Sequence, residues 1–577
     1  MIKLRIASNG HFMLAGASKF MLAASDGNAV LATTLSLVDY QSSYSNVNGQ
    51  AGADPQPVMQ RKAGTTVGDV PVMYTFTGSA PSMPQARVMQ GATVIKDWTT
   101  LVSPSVQGST GLGTLTNVPQ GCDYTMQIRD GGQPGNAATI SNGAQPWGVG
   151  VNVLYFGQSN MISTLTCRSY SSIVPGTSEQ EIMYHGKGMA RGTVFGAAGW
   201  MQSLGGYGIW SNGSGVDGAA GGIFIFLRLV AKGLRTRYGI DIPVGLLPWA
   251  FNSQGIDGFY PNSGARWQQI FNANGTTPPN IGGSSPKNYF PIGDFEGVMY
   301  HQGEANQADT SDAYRDKLVS LYSQIAAYVA QFGRTPADLF FGPAMLGNYR
   351  PDQCPSIENI RIAASKFETV AIANGWPKAR IGWSCIDCAI GPDGLHMVDT
   401  ESDSPATNTR NRAKTKSMRR SIQTVLYHLG CATFSGRGPS INPTVSRAGL
   451  VVTLSVVHDG GTALQLAIPG NPLKGFYANT AADFTGTDIA VTAELVNGNS
   501  QIAVTLPGGT TFPVYLKYMG GRIGSAAVDA EGYTASCSPN ITNPIYDNVT
   551  YPTGGTGTDI EPLGLPLLPT FTALTVN

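Results

Sequence analysis

The chain has 577 residues and a mass of 60.6 kDa, a length that suggests about three or four domains rather than one. Charged residues make up 12% of it, about half the usual share, while its 73 glycines and 36 prolines favour strands and turns over long exposed helices. The 36 basic and 36 acidic side chains balance. No net field would therefore attract nucleic acid or an anionic membrane, and we expect neither as a partner.

The N-terminal residues are not typical of a targeting segment. Arg5, His11 and Lys19 interrupt the apolar residues there, so we expect no signal peptide. No run of about 18 apolar residues predicts a membrane span. Seven scattered cysteines are too few for a disulfide framework, and the one close pair, Cys385 and Cys388, lacks a second CxxC or HxxxH. We interpret this pair as two unrelated thiols at a strand end.

The flanks of the chain have the patterns of β domains. Residues 1–60 contain short apolar runs between Ser-Asn-Gly and Ser-Asp-Gly turns, which predicts a small β segment that could serve for attachment. Alternating apolar residues in 61–148 predict a β-sandwich. Residues 433–577 predict a second β-sandwich, followed by a Pro- and Gly-rich tail to which the sequence assigns no structure.

The middle of the chain, residues 149–432, has a different pattern. Apolar runs alternate with helical segments, which predicts a parallel α/β sheet. Predicted strands lie at Val151 to Phe156, Ile242 to Leu247, Phe295 to Tyr300, Leu339 to Leu346 and Ile381 to Ile386. Predicted helices run from about Phe224 to Tyr238, from an N-cap at Ser311 to Phe332, and from about Thr409 to Leu429. In the second of these helices, apolar residues at helical spacing predict one buried face, formed by Tyr314, Leu318, Leu321, Ile325, Tyr328 and Phe332.

Two loops of this region carry residues suited to nucleophilic catalysis. Ser159 follows the first predicted strand, two residues after Gly157, whose lack of a side chain permits a tight turn. Asp393 and His396 follow the last predicted strand. A nucleophile needs a base, and the base needs an orienting acceptor, so Ser159, His396 and Asp393 form a candidate triad at one edge of the sheet.

A third block lies between these loops, in Tyr300-His-Gln-Gly-Glu-Ala-Asn306. In this order, GQSNM, HQGEAN and DGLH resemble the signature blocks of the SGNH hydrolase superfamily, in its branch of sialate O-acetylesterases and family 6 carbohydrate esterases. The similarity covers about residues 150–430. It implies a three-layer α/β/α domain with a parallel sheet, flanked here by the two β-sandwiches.

The resemblance also implies a reaction. Ser159 would be the nucleophile, His396 the base and Asp393 the residue that orients it, in hydrolysis of sugar O-acetyl esters through an acetyl-enzyme without metal or other cofactor. The expected substrate is an acetylated polysaccharide or oligosaccharide. His301 has no partner in the motif and is interpreted as structural, and Glu304 as a buried hydrogen-bond hub.

One block departs from the family pattern. Residues 242–259 resemble the segment that supplies a backbone donor to the oxyanion hole, but Asn252 and Ser253 stand where a glycine pair is expected. A backbone donor survives a change of side chain if the turn still forms, so the N–H groups of Ser159 and Ser253 are the expected donors. The third donor would be the side-chain amide of Gln302, with Asn306 as its rival.

Substrate contacts are less specific in the sequence. We expect Gln158, Asn160, Trp249 and Phe259 to bind substrate, although the aromatic cluster Trp249, Phe251, Phe259 and Tyr260 fits a sugar platform and a packed core equally well. A basic run follows His396. It predicts a solvated helix face, with contact to an acidic polysaccharide as the alternative, and consists of Arg410, Arg412, Lys414, Lys416, Arg419 and Arg420.

The leading functional hypothesis is a carbohydrate O-acetylesterase whose flanking domains position it on a polymer. The Gly-rich β domains resemble those of bacteriophage tail proteins that deacetylate capsule or O-antigen, which would imply action in a virion tail or outside the cell and a homotrimer. Two alternatives remain. One is a non-catalytic carbohydrate-binding or structural protein that keeps only the fold, and the other is a general short-chain or lipase-like SGNH esterase.

Overall fold

A computed structural model describes most of the chain from Val58 onward. The described residues are 58–132, 141–142, 147–165, 188–190, 192–195, 201–204, 221–267, 294–347, 349, 356–388, 390–391, 393–397, 413–466, 470, 473–518, 545–549 and 564–577, with short strands at 5–6, 12–13, 24–25, 28–29 and 34–37. The chain is a mixed α/β protein with several sheets.

Among the described residues of the N-terminal region, two facing sheets share a core, and β1-β2 and β3-β4 form separate two-stranded sheets. One of the facing sheets has the order β10-β11-β7-β5, and β12, β8 and β9 belong to the other. Apolar residues of both sheets share one buried core, which gives this region the character of a sandwich. The strands are β1 Arg5–Ile6, β2 Phe12–Met13, β3 Ala24–Ser25, β4 Asn28–Ala29, β5 Thr34–Leu37, β6 Val58–Gln60, β7 Val67–Thr77, β8 Pro84–Gln90, β9 Thr93–Thr100, β10 Val102–Gln107, β11 Thr110–Pro119, β12 Gly121–Asp130 and β13 Ser141–Asn142.

Strand β14, Trp147–Gly157, belongs to both the sandwich and the α/β region. Its first residues pair with β12 and β6, and its later residues form the centre of a parallel sheet. Near this crossing, Glu296 is buried between Arg61 and Arg334, at 3.1 and 3.3 Å. The sequence predicts a domain boundary at residue 148, and in the structure β14 continues across that position.

The α/β region is built on parallel strands in the order β18-β14-β19-β20. Its strands are β15 Gly188–Ala190, β16 Gly192–Phe195, β17 Met201–Leu204, β18 Val244–Phe251, β19 Gly297–His301 and β20 Phe340–Pro343. Its helices are α1 Ser159–Leu165, α2 Gly221–Tyr238, α3 Ser311–Ala330, α4 Ile357–Ala373 and α5 Ala413–His428.

Neighbouring residues of β14 contact different helices. Tyr155 packs on Phe226 of α2 and forms a 2.9 Å hydrogen bond with Ser421 of α5. Phe156 instead packs on Phe259 and Tyr300, on the side of the strand to which α3 contributes. Because adjacent residues of a strand point to opposite faces, helices pack on both sides of β14. The mixed α/β class is confirmed, while the three-layer SGNH fold stays a prediction.

The described residues of the C-terminal region form two four-stranded sheets and a two-stranded sheet. The last strand, β30, pairs with β28, so the end of the predicted tail belongs to this region. The strands are β21 Ser440–Ala448, β22 Val451–Val457, β23 Leu464–Leu466, β24 Phe476–Asn479, β25 Asp488–Ile489, β26 Thr492–Val496, β27 Gln501–Thr505, β28 Val514–Tyr518, β29 Ile545–Asp547 and β30 Leu574–Val576.

Two predicted elements differ from the structure, and others lie outside the described residues. Helix α3 begins at Ser311, but its N-cap is Thr310, whose side chain accepts from the Ala313 N–H, rather than Ser311. The predicted strand over 381–386 is reduced to a single bridge between Ser384 and Met345. Most of residues 1–57, and the part of the third helix before 413, lie outside the described residues.

Candidate active site

Ser159 lies where β14 ends and α1 begins. Gly157, just before it, has a φ of 154° and faces the neighbouring strand so closely that a Cβ would come within 2.1 Å of the His301 carbonyl oxygen. Only glycine fits this position without moving the backbone. Ser159 is the first residue of α1 and is 8% exposed. The serine therefore lies at the carboxyl edge of the sheet, as the sequence predicts.

Asp393 and His396 form a hydrogen-bonded pair at the same edge. His396 Nδ1 lies 2.6 Å from Asp393 Oδ2, and Asp393 Oδ1 accepts from the backbone N–H groups of Leu395 and His396. The bond to Asp393 raises the pKa of His396. Burial opposes ionisation of Asp393, but these hydrogen bonds outweigh it and lower its pKa to about 2. The imidazole is thus oriented by an ionised carboxylate and stays accessible.

Asn160 connects the two loops. Its Oδ1 accepts from the Met397 N–H at 2.9 Å and its Nδ2 donates to the Leu395 carbonyl at 3.1 Å, so one amide contacts both residues that flank His396. Because Asn160 directly follows Ser159, this contact positions the histidine loop beside the serine turn. The side chain of Asn160 is fully buried and is occupied by these contacts, and substrate binding by Asn160 stays a prediction.

A second histidine and carboxylate lie beneath this surface. His301 Nε2 is 3.4 Å from Glu304 Oε1, and both side chains are buried. The same oxygen accepts from Asn160 Nδ2 at 2.8 Å and from the Tyr349 hydroxyl at 2.7 Å. Burial opposes the charge of Glu304, but these partners outweigh it and lower its pKa to about 2. Glu304 is a buried hub, as the sequence predicts, and it supports the Asn160 contact.

Gln302 has a fixed orientation between the two turns of the expected oxyanion hole. Its Oε1 accepts from the Tyr314 hydroxyl at 2.7 Å, which directs Nε2 the other way. Nε2 donates to Asn306 Oδ1 at 2.7 Å and to the Gln254 carbonyl at 3.2 Å, and it lies 3.3 Å from Gln158 Oε1. The amide nitrogen therefore lies next to the residue after Ser253 and the residue before Ser159.

Asn306 does not present a donor to this space. Its Oδ1 accepts from the Ile256 N–H, and its Nδ2 donates to Asp309 Oδ2 at 2.9 Å. A backbone donor on one side and a carboxylate on the other fix the amide in this orientation. In this geometry Asn306 orients Gln302 and the turn at Ile256, and its role as an oxyanion donor stays a prediction.

The turn that replaces the expected glycine pair uses a left-handed residue. Ser253 has a φ of 53°, a region that residues with a side chain adopt at a cost of about 1–2 kcal/mol. Asn252, the residue better suited to that conformation, does not adopt it among the positive-φ residues described. The turn needed for a backbone donor is thus formed with serine at the strained position.

Two further expectations about substrate binding are not supported. Gln158 is 2% exposed, and its Oε1 accepts from the Ala305 N–H. Phe259 is fully buried and packs 4.5 Å from the ring of Phe156, so it is core rather than a sugar platform. Phe251 is also buried, whereas the side chain of Trp249 lies outside the described residues.

The basic run of α5 is not a solvated face. Lys416, Arg419 and Arg420 are all buried. Arg420 donates to both oxygens of Asp387, to which Tyr546 of the C-terminal region also donates at 2.8 Å. Burial opposes the charge of Asp387, but the nearby cations Arg420 and Lys416 outweigh it and hold the pKa of Asp387 well below its usual range. The predicted solvated face is therefore wrong here, and Arg410 and Arg412 lie outside the described residues.

Sequence reasoning missed two tyrosines of the site. Tyr314 is recognised as part of the buried face of α3, but its hydroxyl orients Gln302, which helical periodicity does not reveal. Tyr349 follows no motif, and only its 2.7 Å contact with Glu304 marks it. Within the described part of the chain, no cluster of three or more His, Cys, Asp or Glu residues could hold a metal ion. Nor is any described helix long and apolar enough to cross a membrane.

Comparisons with known proteins leave the family open. No protein-family model matches the chain, and no curated protein matches it. One similar solved structure is a multi-modular, cell-surface-expressed chitinase of Paenibacillus sp., with 10% identity and a TM-score of 0.20 over 92% of this chain. The chain spans 52% of that chitinase. Another is a family 2 carbohydrate esterase with a carbohydrate-binding domain, from Corynascus thermopiles (Myceliophthora fergusii), with 10% identity and a TM-score of 0.24 over 69% of this chain and 98% of the esterase.

Proposed function

We propose that the chain is a serine ester hydrolase that removes O-acetyl groups from a carbohydrate. The observation that supports this most is the Asp393–His396 pair, which Asn160 fixes beside the turn that carries Ser159. A base oriented by a carboxylate next to a serine at a strand end is the arrangement that acyl transfer needs. The carbohydrate substrate rests on the resemblance of the three sequence blocks.

In the proposed reaction, Ser159 Oγ attacks the acetyl carbonyl carbon while His396 Nε2 accepts its proton. A hydrogen bond between these two atoms is part of the proposal. His396 then donates the proton to the leaving sugar oxygen, and the acetyl-enzyme is hydrolysed by water that His396 activates in the same way. The carbonyl oxygen would accept hydrogen bonds from the backbone N–H groups of Ser159 and Ser253. Gln302 Nε2 would be the third donor, and to act it would have to release one of its present acceptors, which are Asn306 Oδ1, the Gln254 carbonyl and Gln158 Oε1.

The test is acetate release from a panel of acetylated glycans by the wild type and by Ser159→Ala. We expect the variant to lose at least about 10⁴-fold in kcat, because covalent acyl transfer has no substitute for the nucleophile. Ser163→Ala, one turn further along α1, is the matched control and should keep full activity. A serine-directed phosphonate should label Ser159 only.

Each of the following outcomes would reject the proposal or a part of it. Full activity in Ser159→Ala, or phosphonate labelling at another serine, would reject the triad. Faster hydrolysis of long-chain than of short-chain nitrophenyl esters would reject the carbohydrate esterase in favour of a lipase-like enzyme. Absence of acetate release from every glycan and every short ester would favour a non-catalytic protein.

A further inference from the structure

The N-terminal sandwich has an outward face with an unusual pair of arginines. Strands β8 and β12 lie side by side, and their residues alternate between buried and partly exposed positions. The outward positions include Arg87, paired across the strands with Gln127, and Arg129, paired with Gln85. We call this surface the Arg87–Arg129 face. Its outward side chains on the two strands also include Met89, Asp123 and Thr125.

Both guanidinium groups are held in place by the ring of Trp98, which they share, and by one glutamine each. Their Cζ atoms lie over the ring of Trp98, at 4.8 Å for Arg87 and 4.3 Å for Arg129. Each Nε donates to a glutamine Oε1, Arg87 to Gln127 and Arg129 to Gln85. Stacking and hydrogen bonding therefore restrict two side chains that are ordinarily mobile, so little rotamer entropy remains to be lost on binding.

The outer ends of these guanidinium groups have no acceptor among the described residues. Only the Nε atoms donate, and neither arginine forms an ion pair within the part of the chain that the structure describes. Asp97, on the neighbouring strand β9, uses its Oδ1 to accept from the Trp98 N–H. Arg61, Arg334 and Arg420, by contrast, are all paired with buried carboxylates.

We propose that the Arg87–Arg129 face binds an acidic polysaccharide, with the two guanidinium groups contacting carboxylates of its uronic acid units. A guanidinium with its Nη atoms free matches a carboxylate in a two-pronged geometry. The amides of Gln85 and Gln127 are bonded to Thr100 and Asn142 as well as to the arginines, so they fix the guanidinium groups and leave the charged contact to the Nη atoms. Nucleic acid is the less favoured ligand, because the chain has no net charge and two arginines do not form the broad basic stripe that phosphate backbones require.

This binding site goes beyond the proposed esterase and does not depend on it. The test uses the full chain and measures binding to polygalacturonate, with uncharged dextran as the comparison polymer. We expect the double variant Arg87→Gln/Arg129→Gln to bind polygalacturonate at least about tenfold more weakly. Binding by the wild type should weaken as NaCl is raised, because exposed charges are screened.

A matched control removes one similar arginine elsewhere. Arg447 lies over the ring of Phe512 at 3.9 Å in the C-terminal region, so Arg447→Gln deletes a stacked guanidinium without touching the Arg87–Arg129 face. It should bind polygalacturonate like the wild type, as should Ser159→Ala, which separates this site from the esterase. Thermal unfolding midpoints within about 2 °C would show that the double variant is folded.

Three results would overturn the proposal. The first is equal binding of polygalacturonate by the wild type and the double variant, or no binding by either. The second is an equal loss in Arg447→Gln, which would mean a general charge effect. The third is binding of dextran as tight as that of polygalacturonate, or tighter binding of single-stranded DNA than of either polymer, which would reject uronate recognition.

Discussion

Two histidine–carboxylate pairs with the same sequence spacing lie in contrasting surroundings. His301 and Glu304 are three residues apart, as are Asp393 and His396. The side chains of the first pair are 0% and 2% exposed, whereas His396 and Asp393 are 40% and 52% exposed. Both pairs favour ionised partners, but only the second is accessible to solvent or to a bound molecule. Spacing alone therefore does not distinguish a structural pair from a reactive one.

Asn160 contacts both pairs and explains their relation. Its Nδ2 donates to Glu304 Oε1 in the buried pair, and its amide contacts the backbone on both sides of His396. Glu304 of the buried pair thus positions Asn160, and Asn160 in turn positions the loop that carries Asp393 and His396. We expect changes in the exposed pair to affect the rate and changes in the buried pair to affect stability first.

The largest expected effect comes from His396→Ala. Without its base, kcat for acetate release should fall by about 10⁴–10⁶-fold, because Ser159 can no longer be deprotonated during attack. The free energy of unfolding should change by less than about 0.5 kcal/mol, since His396 is exposed. Kinetics and chemical denaturation measure the two effects. A severe loss of stability would make this pair structural and erase its contrast with His301.

Asp393→Asn should lower kcat by about 10²–10⁴-fold and shift the pH profile. His396 must be neutral to accept the serine proton, so kcat/KM of the wild type should fall as pH decreases through a histidine pKa that Asp393 holds above the ordinary value of 6.5. Removing the carboxylate should move this acidic limb to lower pH. If the acidic limb of the kcat/KM profile is unchanged in Asp393→Asn, the limb reports the titration of a group other than His396.

Glu304→Gln should reduce the free energy of unfolding by roughly 3 kcal/mol at pH 6, since it leaves His301 buried without its charged partner. In the wild type, the pKa of Glu304 is lowered from 4.5 to about 2, so its contribution is present above pH 4.5 and is lost as pH falls toward 2. The variant should lack this decline. Urea denaturation at several pH values measures it, and an unchanged acid sensitivity would contradict the assignment.

Ser253→Gly should have the smallest effect. The substitution removes the strain of the left-handed conformation at residue 253, but glycine also has more conformational freedom in the unfolded chain. Because these effects nearly cancel, we expect the free energy of unfolding to rise by at most about 1 kcal/mol. Because only the backbone N–H is proposed to act, kcat should stay within about threefold. A large loss of kcat would mean that the serine side chain itself takes part in the reaction.

The elements whose formation is local were predictable from the sequence. In α3 the predicted apolar face includes Tyr314, Leu318 and Leu321, and the structure buries all three because helical spacing alone puts them on one side. The pairing of Asp393 with His396 is similarly local. The turn glycine Gly157 was predictable because only glycine allows the close strand approach that the structure shows.

Features that depend on distant partners were not predictable. The burial of Arg420 follows from Asp387 and Tyr546, which come from a different loop and a different region of the chain. A run of basic residues with no acidic partner nearby in the sequence predicts a solvated helix face. The contacts of Asn160 with Met397 and of Asn306 with Ile256 were not predictable for the same reason, since both join loops far apart in the sequence.

Strand β14 limits how this protein can be divided or recombined. Its 11 residues serve two sheets and lead directly to Ser159, so a cut after residue 148 would remove the first pairings of the same strand that ends at the proposed nucleophile. Such a cut would also take Arg61 from the buried Glu296. In engineered chimeras, the sandwich and the α/β region should therefore be kept together as one unit. A sandwich of another sequence would have to reproduce both the pairing register of β14 and an arginine at the position of Arg61.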